Sequence, residues 1–222
     1  MNSLLPKIKN IIGACLLRKP ARLIFVKPCY QIIDRLSPKS IVVDLGTGND
    51  ADFSQALIKK FGVSSYGFDP TKKHQASLRV LAQNSRGRFT FFDYAIADQP
   101  GQRIFYESQN NISGSFLPSH INIKNDATRA YHVKTITIEN IFHLIKQLKI
   151  DILKMDIEGE EYAVIPKLQQ TTLSKIDQLV IEFHHHCLDN FTNQHTDACV
   201  QKIKSHGFKS LSFDRINYLF YK

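Results

Sequence analysis

The chain has 222 residues, 43% of them hydrophobic and 22% charged, which suits one large soluble domain with enough material for a full core. Its 29 Lys and Arg against 20 Asp and Glu give a net charge of +9, yet the basic residues are spread out, with local groups at Lys7/Lys9, Arg18/Lys19 and Lys72/Lys73. Without an arginine-rich run or interleaved aromatics this charge argues against a dedicated nucleic-acid-binding module. The four cysteines (Cys15, Cys29, Cys187, Cys199) are too scattered for a disulfide framework and point to a reducing compartment.

The first forty residues read as helical, with Leu4, Ile8, Ile11, Ile12 and Leu16 near helical spacing and Pro20 and Pro28 as punctuation. Residues 1–37 are expected to form a basic helical extension packed on the core. The apolar run Ile11–Leu17 is too short to span a bilayer. Arg18 and Lys19 follow it where a signal peptide would carry small residues. A cytoplasmic protein is expected, with peripheral membrane contact through this helix as the minor alternative.

Residues 38–222 carry the main domain. SIVVDLG reads as a buried strand ending at Gly46, DADFSQALIKKFG as a helix closed by Gly62, SSYGFDP as a strand and HQASLRVLAQN as a helix. RFTFFDYAIAD reads as one strand and RIFYE as another. Residues 108–132, rich in Ser and Asn, lack periodicity and read as a long functional loop or lid. Strand and helix follow in VKTITIENIFHLIKQLK, then in IDILKMD and EEYAVIPKLQQ. The strand QLVIEFHHH, the helix HTDACVQKIKSHG and a terminal hairpin in FKSLSFDRINYLFYK complete the chain.

This alternation predicts an α/β fold: a mostly parallel, Rossmann-like sheet with helices on both faces and an antiparallel C-terminal edge hairpin. Ligands in such sheets lie beyond the carboxyl ends of the strands. Asp44–Gly48, Asp69, Asp93, Asp156 and Glu182–His184 all fall there.

Gly46-Thr47-Gly48-Asn49-Asp50-Ala51 satisfies a dinucleotide-type glycine pattern between strand and helix. Asp44 and Asp50 beside it would repel a pyrophosphate, whereas they would favour S-adenosylmethionine, whose sulfonium and amino group are positive. Asp69 is placed to accept both ribose hydroxyls, and Asp93 to reach the adenine amino group. Helix capping is the plainer account of Asp50. An NAD(P)-dependent oxidoreductase is the weaker alternative, lacking a Tyr-x-x-x-Lys pair, and a non-catalytic RNA-binding module on the same scaffold is a third.

VVDLGTGNDADFS, YGFDPT, YAIAD, NNISGSF, VKTITIENI, IDILKMDIEGEEY and LVIEFH, in that order, resemble the FkbM-type S-adenosylmethionine-dependent methyltransferases over roughly residues 38–222. The resemblance implies a class I methyltransferase fold and O-methylation of a hydroxyl on a sugar, glycoconjugate or other small molecule. It places Asp44, Gly46, Thr47, Gly48, Asn49, Asp69, Pro70, Asp93 and Ala95 around the cofactor. The glycine loop departs from the commoner family form, a single glycine followed by Ala-Asn. The basic balance suits an anionic acceptor.

An acceptor hydroxyl needs a group to take its proton. Asp156, Glu158, Glu182 and His184 are the candidates, with His184 or Asp156 as base; Glu182 and His184, two apart, would share one strand face. A less favoured option has Asp156, Glu182 and His184 hold Mg²⁺ or Mn²⁺. Glu160 and Glu161 read as first-turn acids favoured by the helix dipole, and a buried Lys154–acid pair is a plain account of part of the cluster. Ser113 and Ser115 are candidate pocket residues, while His185 and His186 read as strand end or loop. The zinc-like spacing of His184, Cys187, His195 and Cys199 reads as chance.

Overall fold

A computed structural model describes residues 22–26 and 29–222. The earliest described elements correct the helical reading of this region. Strands β1 (Leu23–Val26) and β2 (Tyr30–Ile33) form an antiparallel hairpin. Ile24 and Val26 are buried while Phe25 between them is exposed, a two-residue period that a branched and aromatic run satisfies as a strand. The hairpin joins the core through Ile32, which packs with Val42, Ile152 and Val180. The Gln178 side chain binds both backbone groups of Ile33, accepting from its N–H at 2.7 Å and donating to its carbonyl at 3.0 Å. The helical spacing from Leu4 to Leu16 lies outside the described residues.

The main sheet starts with β3 (Ile41–Leu45), whose Val42, Val43 and Leu45 are fully buried, as a strand covered on both faces requires. Helix α1 (Asp52–Phe61) follows and ends on Gly62 at φ 70°. Then come β4 (Ser64–Phe68), α2 (Gln75–Asn84) and β5 (Phe89–Phe92). The predicted single strand RFTFFDYAIAD breaks after Phe92. Its second half, β6 (Ala95–Ile96), joins a separate sheet with β7 (Gly101–Ser108), β8 (Gly114–Ser115) and β9 (Thr128–Ile136) in the order β6-β9-β7-β8.

The stretch read as a long functional loop or lid is therefore largely built from regular elements. It contributes the end of β7, all of β8, helix α3 (Ile121–Lys124) and the start of β9, with β7 and β9 paired from Gly101–Thr135 to Ser108–Thr128. Its apolar residues sit on turns and on a sheet half open to solvent, so no sustained periodicity marks it.

After α4 (Ile138–Leu144) the chain returns to the main sheet as β10 (Ile150–Met155). Helix α5 (Glu161–Val164) is only four residues long, passing into a 3₁₀ turn at Ile165–Lys167 that contains Pro166. Helix α6 (Gln170–Leu173), β11 (Ile176–Glu182), α7 (Asn193–Lys204) and the terminal hairpin β12 (Lys209–Leu211) and β13 (Asn217–Tyr221) complete the fold. The seven strands run β12-β13-β11-β10-β3-β4-β5, parallel from β11 to β5, with β13 antiparallel to β11. The chain leaves β3 on one side and comes back as β10 on the other, which opens a crevice at their carboxyl ends. Among the described residues no helix is long and apolar enough to cross a membrane.

Candidate active site

A cleft lies over this switch point, where ligands of open parallel sheets bind. Gly46 and Gly48, Asp69 to Thr71, Tyr94 to Ile96, and Asp156 to Glu158 form its floor and walls. Phe105 and Gly114, from the smaller sheet, and Ile112 and Phe116, from the turns beside β8, complete the lining. The predicted lid segment thus does reach the pocket, through apolar residues rather than through Ser113 and Ser115. Ser115 Oγ instead donates to the Glu158 carbonyl at 2.7 Å, and Ser113 Oγ accepts from Asn122 at 3.1 Å.

Gly46 is required by space as well as by its φ of 74°. A Cβ there would stand 1.7 Å from the Asp156 carbonyl oxygen, because β3 and β10 deliver their carboxyl ends against each other. The loop is tied to β4 by Asp69, whose carboxylate accepts from the amides of Gly48 (2.9 Å) and Thr71 (2.8 Å) and pairs with His74 Nδ1 (3.2 Å). Three of its roughly four lone-pair sites are thereby used, leaving room for one further donor. His74 also lines the cleft, and its buried Nε2 has no hydrogen-bond partner among the described residues.

Beneath the loop lies a buried charge network. Lys154 donates to the Gly46 carbonyl at 2.6 Å and stands 3.1 Å from Asp156 Oδ2 and 3.4 Å from Asp44 Oδ1. Burial works against its charge, but Asp156 and Asp44 outweigh that and hold the ammonium protonated well above the usual lysine range. Asp44 is fully buried, accepts from Ser54 at 2.6 Å and does not reach the cleft. The buried lysine–acid pair therefore accounts for Asp44, whose sequence position had suggested cofactor contact.

Asp156 shares in that network and faces the cleft. Burial raises its pKa, but Lys154, His184 and the Tyr30 hydroxyl bring it below the ordinary value. Tyr30 Oη lies 2.8 Å from Asp156 and 2.9 Å from Glu182. One hydroxyl has one proton to give, so the two contacts are satisfied together when Glu182 itself is protonated. Burial, then the charge of Asp156, shifts Glu182 in that direction. Glu182 is thus held behind Tyr30, away from the cleft lining.

The turn after β10 is set by Glu161. This fully buried carboxylate accepts from the amides of Ile157 (2.8 Å) and Gly159 (3.0 Å) and pairs with His184 Nδ1 at 3.1 Å. Glu158 is forced to φ 53°, unusual for a residue with a side chain, and Gly159 to φ 104°. Glu160 is buried against Arg103, which also covers the Phe116 ring. Both acids do stand at the start of α5, Glu160 in the N-cap position and Glu161 in the first turn, and both are buried there, Glu160 beneath Arg103 of the smaller sheet.

His184 does not share a strand face with Glu182, because β11 ends at Glu182. It nonetheless enters the acid cluster, with Nε2 at 3.5 Å from Asp156 Oδ1 and 3.7 Å from Glu158 Oε2. Burial opposes its charge, but Glu161, Glu158 and Asp156 raise it well above the ordinary histidine range. His120, from the segment before α3, is also fully buried and brings Nε2 to 2.9 Å from Glu158 Oε2.

Of the remaining expected cofactor residues, Pro70 and Ala95 line the cleft, whereas Thr47 is buried toward Gly67 and Asn49 is exposed. Asp93 points to solvent, paired with Arg79 at 3.0 Å, and the neighbouring Tyr94 takes the place expected for it. Asp50 does not cap α1; Ala51 occupies that position with φ 48°. Cys199 is packed in the core, its thiol pushed up to about 12 by burial, and His195 caps α7, so the zinc-like spacing has no counterpart in space. His120, Tyr30 and His74 were missed. His120 is a single histidine in a polar stretch, Tyr30 lies in a segment read as helical, and His74 sits on a helix edge.

The strand order, the glycine turn and the cleft at the switch point define a class I methyltransferase fold. Residues 41–210 match the model of the FkbM methyltransferase domain, and the chain belongs to that family, whose members are S-adenosylmethionine-dependent methyltransferases by class. In fold it is similar to the fibrillarin/Nop5p complex structure, at 12% identity and a TM-score of 0.50, covering 84% of this chain and 73% of that one. An rRNA methylase from Streptococcus thermophilus matches at 13% identity and a TM-score of 0.44, covering 83% and 86%. A precorrin-6y C5,15-methyltransferase from Geobacter metallireducens matches at 10% identity and 0.45, covering 85% and 84%. No curated protein matches the sequence significantly.

Proposed function

We propose that this protein transfers a methyl group from S-adenosylmethionine to a hydroxyl of a sugar, glycoconjugate or other small molecule. The observation that carries the reading is that one cleft is lined both by two acidic residues, Asp156 and Glu158, and by Gly46, Gly48 and Asp69. A sulfonium is attracted to such a lining, and an acceptor hydroxyl beside Asp156 can pass its proton there as the methyl carbon is attacked. Asp69 keeps one lone-pair site for a ribose hydroxyl, and the unpartnered Nε2 of His74 can accept the other. Ile112, Phe105 and Phe116 exclude water from the reacting line. Tyr30, Lys154 and Glu161 act behind these groups, holding Asp156 charged and fixing the turn. The net charge of +9 favours an anionic acceptor.

Calorimetry with S-adenosylhomocysteine and NADH tests the donor. Micromolar binding of the former alone is expected, and binding of NADH alone overturns the reading. Incubation with labelled S-adenosylmethionine and a panel of glycosyl phosphates and neutral glycosides, read by product mass, tests the acceptor.

A further inference from the structure

The His120–Glu158 contact is short without being a hydrogen bond. Nε2 and Oε2 are 2.9 Å apart, yet Nε2, in a fully buried ring, has no hydrogen-bond partner among the described residues. The ring therefore does not aim at the carboxylate oxygen. His184 Nε2 lies 3.7 Å from the same oxygen, and one ligand-capable atom from each of His120, Glu158 and His184 falls within 4.8 Å of the other two. Atoms that ligate one ion aim their lone pairs at a common point rather than at each other. With bonds of about 2.0–2.1 Å, neighbouring ligands around a tetrahedral ion stand about 3.4 Å apart, between the two separations seen.

We propose that His120, Glu158 and His184 bind a divalent transition-metal ion, Zn²⁺ being the simplest fit, at the edge of the methyl-transfer cleft. Two imidazoles and one carboxylate suit zinc and its neighbours rather than Mg²⁺ or Ca²⁺, which take oxygen ligands. Three protein ligands with a fourth position open is the pattern of catalytic rather than structural zinc. The supporting shell is present on one side: Glu161 holds His184 by Nδ1 and so leaves Nε2 for the ion, while two backbone amides hold Glu161. On the other side, ligation through His120 Nε2 places the ring proton on Nδ1, so the long 3.3 Å contact from the Asn122 amide is given up on binding. The His184 Nε2 proton leaves as the ion enters. This set differs from the one suggested by sequence spacing, since Glu182 is held behind Tyr30. The ion's role, which rests on the methyltransferase reading, is to bind the acceptor oxygen and lower its pKa.

The test uses the full chain stripped with EDTA, titrated with Zn²⁺ by calorimetry and with Co²⁺ by visible absorption. One equivalent should bind with micromolar or tighter affinity, and His120→Ala should weaken it at least about tenfold. Circular dichroism checks the fold, and Glu158→Gln serves if His120→Ala does not fold. His186→Ala and Cys187→Ser should leave binding unchanged. No stoichiometric binding at about 100 µM ion, or binding kept in His120→Ala and Glu158→Gln but lost in His186→Ala, overturns the proposal. S-adenosylhomocysteine affinity is measured separately on the stripped chain: its loss alone would sink the methyl-donor reading and leave the metal site standing.

Discussion

Replacing Lys154 by Met tests the physical account of the acid cluster. The Lys154 ammonium is buried between Asp156 Oδ2 at 3.1 Å and Asp44 Oδ1 at 3.4 Å, and also holds the Gly46 carbonyl. Met has similar volume, so packing changes little while the buried Asp44 and the half-buried Asp156 lose their counter-charge. Removing one partner of such a group costs about 3–5 kcal/mol, which for a domain of this size lowers Tm by about 6–20 °C. The sign with pH follows from the direction of each shift. In the parent chain Asp156 is held below its ordinary value, so its stabilisation is present above the unfolded pKa and is lost as pH falls through the folded one. In the variant, Asp44 loses the ammonium that opposes its burial, so its already raised pKa rises further, while Asp156 keeps His184 and the Tyr30 hydroxyl. The penalty is then full at about pH 8 and fades as the pH drops through the raised value of Asp44, because the folded state takes up the proton. Differential scanning calorimetry of both chains across that range measures it. Adding Asp44→Asn to the variant should recover part of the loss. A Tm within about 3 °C of the parent at about pH 8, or a drop that does not vary with pH, would refute the account.

Gly46→Ala should abolish S-adenosylhomocysteine binding in calorimetry, since its Cβ would meet the Asp156 carbonyl at 1.7 Å; retained affinity would mean that the β3 and β10 ends can separate. Asp69→Asn should weaken that binding at least about tenfold, because the amide cannot serve Gly48, Thr71 and His74 together, and unchanged affinity removes Asp69 from the cofactor site. Tyr30→Phe should lower activity and move its acid limb, read from a pH–rate profile, because Asp156 and Glu182 lose the hydroxyl between them. Cys199, buried with its thiol pushed up to about 12, should resist alkylation in the native chain and react once guanidinium unfolds it.

The sequence by itself determined the parallel core, its helices and the terminal hairpin. Buried strands such as Ile41–Leu45 and Ile150–Met155 are short apolar runs whose burial on both faces follows from composition. Gly62 shows where a helix must stop, and the LKMDIEGEEY block marks the family. What only the tertiary structure decided is which carboxylates face the cleft. Asp44, Asp69, Asp93, Asp156 and Glu182 look alike as acids at strand ends, yet Asp44 pairs with a buried lysine, Asp69 lines the cleft while tying the glycine loop, Asp93 meets Arg79 in solvent, Asp156 lines the cleft beside that lysine and Glu182 is held behind Tyr30. Likewise His120 enters the site from a polar stretch with no periodic signal, because it is carried there by a second sheet whose pairing spans Gly101 to Ile136. Secondary structure follows local spacing, whereas the side of a barrier on which a charge rests depends on neighbours far away in the chain.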